Sequence, residues 1–171
     1  MHIRKTTEQD YENVLKIYAQ ARAFMAAHGN PNQWGTDKPS AQQILQDIKD
    51  GCSYVCEEDG EILTVFFHKI GDDPTYEKIY DGAWPKRDSA ALSPSDSYPY
   101  GVVHRIASTG KRKGSASFCL NWALEQCGCL RIDTHNDNIV MQNLLKKNGF
   151  QYCGIIYLED GSPRLAYQKT L

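Results

Sequence analysis

The spacing of apolar and polar positions changes along this chain, and each change predicts an element. Residues 2–5 form a short opening strand. Tyr11, Val14, Leu15, Tyr18, Arg22 and Met25 then recur at three-and-four spacing, which buries one face of a helix. Thr6 or Thr7 caps that helix, Glu8 and Asp10 suit its first turn, and Gly29, Asn30 and Pro31 end it. Ser40 caps the next helix, with Gln43 three residues on as in a capping box. Ile44, Leu45 and Ile48 make its stripe, and Gly51 stops it. Residues 52–57 and 61–70 read as strands joined at Glu58, Asp59 and Gly60 by a hairpin turn of the Asp-Gly kind.

Residues 71–99 break the pattern. They carry four prolines, few consecutive apolar positions and the acidic Asp72, Asp73, Glu77 and Asp81. A connection of this length is expected to be a binding loop, a lid or a mobile stretch, most mobile at 89–97. Tyr76, Ile79, Tyr80 and Trp84 suggest one or two packed helical turns inside it. Residues 100–107 are then rich in β-branched and apolar side chains, as in a buried strand. From Ala116 onward Phe118, Trp122 and Gln126 recur every four residues beside Cys119, Leu120, Ala123 and Leu124, which is helical spacing. A strand at 130–134, a helix at 136–148 begun by Asp137, and a hairpin of strands at 151–158 and 163–169 complete the chain.

The order strand, two helices, two strands, loop, strand, helix, strand, helix, two strands fits one domain over 1–171, with 71–99 as its long loop insertion. The fold class is α/β (α+β): a mixed, mainly antiparallel sheet with helices on both faces. The strands flanking the helix after Gly114 should run parallel through a right-handed crossover.

The turn at 109–115 holds the chemistry. It supplies two glycines, the consecutive cations Lys111, Arg112 and Lys113, and two hydroxyls, just where a helix begins. The first N–H groups of a helix have no intrahelical partner, and the helix dipole adds partial positive charge at the same end. Gly114 lets a ligand approach the backbone, and the cations attract phosphate. A diphosphate suits this place.

Composition narrows the classes. A formal charge of −2 over 171 residues argues against non-specific nucleic-acid binding. No apolar run approaches a membrane span. The opening residues MHIRKTTEQD lack the apolar core of a secretion signal, so a cytoplasmic location is expected. The six cysteines show no C-x-x-C spacing, and they are expected to be reduced and structural, with no metal site.

Taken together, HRIASTGKRKGSA and LRIDTHNDNIVMQNLLKKNGF resemble the acyl-CoA-binding half of the GCN5-related N-acetyltransferases. That family's diphosphate loop has the form Q/R-x-x-G-x-G/A, and Lys111, Gly114 and Ala116 fill its places, with lysine for the usual arginine or glutamine. Asn138, Met141, Gly149 and Phe150 match the family's N-x-x-A…GF element. The resemblance implies an acetyl-CoA-dependent N-acetyltransferase, with acetyl-CoA as co-substrate and no metal. It implies a splayed central strand pair, with the acyl arm bonded to the backbone of Ile106, Ala107 and Ser108. The diphosphate would lie on Lys111, Arg112, Lys113, Gly114, Ser115 and Ala116, and Asn138 would reach the cofactor. Where the family often has a tyrosine as proton donor to the leaving sulfur, this chain has Leu145. Tyr157 is the substitute that the hairpin offers.

For the base, the candidates are His104, Asp133 and His135, with water as a further route. Asp133 and His135 alternate to one side of the strand end Asp133–Thr134–His135. The segment joining the first two helices borders the acceptor in the resembled family, which singles out Trp34. Tyr76 and Trp84 in the long loop are the other aromatic candidates for touching the acceptor. The acceptor is expected to be a small-molecule or peptide amine, with no nucleic acid and no membrane as partner; a homodimer is left open. Two alternatives stand beside this reading: a non-catalytic acyl-CoA-binding sensor of the same fold, supported by Leu145, and a nucleotide-binding protein. The second lacks the G-x-x-x-x-G-K-[ST] and G-x-G-x-x-G patterns.

Overall fold

The computed structural model describes residues 1–85 and 100–171. These form two compact units, one of residues 1–69 with 103–122 and the other of 70–102 with 123–171. The expected mobility at 89–97 lies outside the described residues.

The first unit opens with β1 (His2–Lys5), followed by a 3₁₀ turn at Glu8–Asp10 and helix α1 (Tyr11–Ala27). The single helix expected from Thr7 thus begins as a tighter turn. Asp10 closes it: its carboxylate accepts from both the Thr7 amide and the Thr7 hydroxyl at 2.8 Å. Helix α2 (Ala41–Lys49) is capped by Ser40, whose hydroxyl accepts the Gln43 amide. The Gln43 side chain does not return to the cap; it donates to Asp47 at 2.9 Å. Strands β2 (Ser53–Glu58) and β3 (Glu61–Ile70) pair antiparallel through the predicted hairpin, and β1 pairs antiparallel with β2. Strand β4 (Gly101–Ser108) follows β3, so this unit's strands run β1-β2-β3-β4.

Period-two alternation gives the two faces of these strands different partners. Val55 and Val65 pair across β2 and β3 and join Val14, Ile17, Tyr18, Ile44, Ile48 and Ala107 in a core beneath α1 and α2. Tyr54 and Phe66 point the other way, against Trp122 of helix α3 (Ser115–Cys127). Helices therefore cover both faces, as expected. The buried apolar stripe of α3 is Cys119, Leu120, Ala123 and Leu124, the residues that stand beside Phe118, Trp122 and Gln126 in the helical spacing, while Phe118 is exposed.

The second unit holds the start of β4 with β5 (Cys129–Thr134), α4 (Ile139–Lys147), β6 (Gln151–Tyr157) and β7 (Pro163–Thr170), its strands in the order β4-β5-β7-β6. The β4–β5 pairing is parallel and consists of Gly101–Leu130 and Val102–Arg131. By contrast β5 pairs antiparallel with β7 along its whole length, from Cys129–Thr170 to Thr134–Leu165. The parallel ladder has two pairs, against six in the antiparallel β5–β7 ladder. Helix α4 starts three residues later than predicted, because Asn138 and not Asp137 supplies the cap, accepting the Met141 amide at 3.0 Å.

Residues 71–85 do not make the packed helix suggested by their aromatics. They form a 3₁₀ turn at Pro74–Tyr76, and Tyr80 bridges Ile155 of β6 through two backbone bonds of 2.8 Å. A side chain at Gly82 would begin 2.0 Å from the carbonyl oxygen of Cys153, so only glycine lets this segment lie on the strand. All six cysteines are free thiols.

Candidate active site

In the first unit the basic turn runs from the end of β4 into α3. Its start is tied to β3: Thr109 donates its amide to the Leu63 carbonyl at 2.9 Å. Gly110 and Gly114 take φ of 78° and 90°, and a Cβ built on either meets nothing within 4 Å. The first full helical turn of α3 closes with Phe118 N–H on Gly114 O at 2.9 Å. The amides of Ser115, Ala116 and Ser117 thus open the helix, where the dipole and open glycine backbone favour an anion. Lys111 is paired with Glu61, and Arg112 lies 3.4 Å from Glu58, both on the β2–β3 hairpin. Lys113 is exposed.

The middle of β4 carries a feature that the motifs do not mark. Arg105 has φ of 52°, a left-handed conformation that costs a residue with a side chain, and its carbonyl accepts the Tyr18 hydroxyl at 2.9 Å. Its guanidinium grips Asp47 of α2 with two bonds, of 2.9 and 3.0 Å, and lies 4.6 Å from the centre of the Phe67 ring. The signal for this pair was present: Asp47 sits on the apolar stripe between Ile44 and Ile48, and a charge there needs a buried partner. His104 faces the Phe67 ring, centroids 5.7 Å apart. Trp34 is half-buried, packed on the α1–α2 core with its ring edge-on to Tyr18 at 5.8 Å.

The second unit holds the remaining candidates. Tyr76 is buried, and its hydroxyl donates to Asp133 at 2.6 Å; Nε of Arg164 lies 4.0 Å from the other carboxylate oxygen. Burial, and next the Asp133 charge, push the Tyr76 phenol well above its ordinary pKa, so it stays a donor. Tyr76 thereby holds Asp133 in place. Each carboxylate oxygen of Asp133 thus has a neighbour of its own. His135 is half-buried, and its Nδ1 accepts the Asp137 amide at 3.2 Å, which leaves the proton of the neutral ring on Nε2. The Asp137 carboxylate is 3.5 Å from the same Nδ1. Asn138 uses its side-chain oxygen as the helix cap described above. Tyr157 ends β6 half-exposed, edge-on to Tyr80 at 5.2 Å. Trp84 gives its indole N–H to the Tyr76 carbonyl at 3.0 Å and stacks on the guanidinium of Arg131, 4.1 Å away. Leu145 is fully buried.

Among the described residues no group of three or more His, Cys, Asp or Glu is placed to hold a metal ion. Nor is any helix among them long and apolar enough to cross a membrane.

No protein-family model matches the chain, and no curated protein matches its sequence. Solved structures do. A GNAT-family acetyltransferase from Streptococcus agalactiae is 32% identical, with a TM-score of 0.84 over 99% of this chain and 95% of that one. Two more distant structures share the fold. One is yncA from Salmonella typhimurium, determined with its cofactor acetyl-CoA, at 15% identity and a TM-score of 0.60 over 99% of this chain and 93% of that one. The other is a ribosomal-protein-alanine N-acetyltransferase from Brucella melitensis, at 17% identity and a TM-score of 0.60 over the whole of both chains.

Proposed function

The chain belongs to the GNAT family of acetyltransferases, and from that membership we propose that it moves the acetyl group of acetyl-CoA to a primary amine by direct attack. The observation that carries this reading is the 32% identity to a GNAT acetyltransferase along 99% of the chain. The basic turn fits the donor: its glycine backbone is open, and the helix start and Lys111, Arg112 and Lys113 suit a diphosphate.

Acetyl-CoA supplies a thioester, whose carbonyl carbon the amine attacks and whose C–S bond breaks to release the thiolate. The chain's residues do the rest. The backbone of Ile106 to Ser108 aligns the acyl arm, and a backbone N–H of β4 faces the developing oxyanion. The amides from Lys111 to Ala116 hold the diphosphate, and Asn138 contacts the cofactor. An ammonium with an ordinary pKa near ~10.4 must lose a proton before attack. His135, half-buried just past β5 with the Asp137 carboxylate nearby, is the acceptor proposed for it. His104 is the alternative on β4. Tyr157, half-exposed at the end of β6, is proposed as the proton donor to sulfur. Trp34 and Trp84 are proposed to border the acceptor, a small-molecule or peptide amine. The lack of a broad excess of positive charge and the free thiols support work in the cytoplasm, away from nucleic acid.

Calorimetry with CoA and thiol release from acetyl-CoA over a panel of amines test the reading. Binding with amine-dependent release is expected. Binding without release for any amine would leave a sensor, and no heat at millimolar CoA would end the assignment of the donor.

A further inference from the structure

Thr64 is completely buried on β3, and its hydroxyl meets a residue from each side of the basic turn. It donates to Oγ of Ser115, the first residue of α3, at 2.8 Å, and it lies 2.7 Å from Oγ of Ser108, the last residue of β4. A threonine hydroxyl has one proton. With that proton given to Ser115, the bond to Ser108 must take its proton from Ser108. The bonds therefore run in one direction, Ser108 to Thr64 to Ser115.

Inside the turn the bonds are longer: Lys111 N–H to Thr109 Oγ1 and Ser115 N–H to Arg112 O are each 3.4 Å, and the pairs made by Lys111 and Arg112 are at the surface. The outer anchors are two consecutive residues of one strand: the Leu63 carbonyl holds Thr109, and the Thr64 hydroxyl holds Ser108 and Ser115.

We infer that Thr64 is a positioning residue for the donor's diphosphate, fixing the spacing between the β4 backbone that aligns the acyl arm and the helix-opening amides that take the phosphates. This rests on acetyl-CoA being the donor, as proposed above. The loop reaches its binding shape before ligand arrives, so less ordering entropy is lost on binding.

Thr64→Val keeps the shape and removes the hydroxyl, and Thr64→Ser keeps the hydroxyl. Calorimetry with CoA, with thermal melts of each variant, reads the effect. Thr64→Val is expected to bind CoA about tenfold more weakly, equivalent to about 1.4 kcal/mol, and Thr64→Ser to bind within about twofold of wild type. A Thr64→Val protein with a lowered Tm but wild-type affinity overturns the inference. If Thr64→Val does not fold, Ser115→Ala carries the test: it is expected to bind several-fold more weakly, and wild-type affinity overturns the inference equally. A wild-type protein that gives no heat with CoA overturns the donor assignment, and this inference with it. A wild type that binds while the variants bind equally overturns this inference alone.

Discussion

The hydroxyl of Tyr76 donates to the Asp133 carboxylate at 2.6 Å, across 57 positions of sequence. It joins the segment after β3 to the end of β5 with a short bond to a charged acceptor, in a place where neither side chain is more than slightly exposed. Bonds of this kind contribute more than neutral ones, because the acceptor left behind cannot turn to water.

Tyr76→Phe is therefore expected to lower stability by about 1.5–3 kcal/mol, measured by urea unfolding at neutral pH. In a double-mutant cycle with Asp133→Asn, the two changes should cost less together than the sum of each alone. Strict additivity would mean that the bond contributes nothing.

Lys111 and Arg112 of the basic turn are paired with Glu61 and Glu58 at the surface. A diphosphate must compete with those carboxylates for Lys111 and Arg112. The double change Glu58→Gln with Glu61→Gln should tighten CoA binding by roughly two- to fivefold at low ionic strength, an effect of the size expected of exposed ion pairs. Calorimetry in added salt should erase the gain, because exposed charges are screened.

Arg4 donates two bonds to Asp10, of 2.7 and 3.0 Å, and these hold the Asp10 carboxyl down at about 2. A folded pKa below the unfolded value means that the stabilisation is complete above the ordinary carboxylate range and is lost as pH falls through about 2. Asp10→Asn should cost roughly 1–2 kcal/mol near neutral pH, allowing for partial solvent screening. The gap between the wild-type and variant melting curves should close as the pH is lowered toward 2.

Leu145 occupies the position where the family often places a tyrosine, and it is fully buried in α4. Leu145→Tyr puts a larger ring and a hydroxyl into a filled space. It should lose about 1–3 kcal/mol of stability through overpacking and bring no increase in kcat for thiol release. A rate increase of tenfold or more would show that the hydroxyl reaches the leaving sulfur.

The basic turn could be read from the chain. Gly110, Gly114 and three cations between a strand and a helix stripe are local signals, because backbone freedom and helix-end charge depend only on neighbours in sequence. The Arg105–Asp47 pair was not found that way. Its members are 58 positions apart, and a charge within an apolar strand does not name its partner. The Thr64 hydroxyl gave no signal either, since a threonine in a strand is ordinary until the ends of β4 and α3 are placed beside it. Tyr76 and Trp84 were expected as acceptor contacts, but the partners that hold them were not legible in the loop: Tyr76 donates to Asp133, and Trp84 gives its N–H to the Tyr76 carbonyl and its ring to Arg131.

The order and type of the elements, the hairpin after Glu58 and the anion-suited turn were determined by the sequence alone. Each rests on propensity, periodicity or turn chemistry, which act within about a dozen residues. Only the tertiary structure decided which stripe of α3 is buried, where α4 begins, and which polar side chains find one another. Those outcomes depend on the register of strands distant in sequence, and a shift of one residue there exchanges one face of a strand for the other.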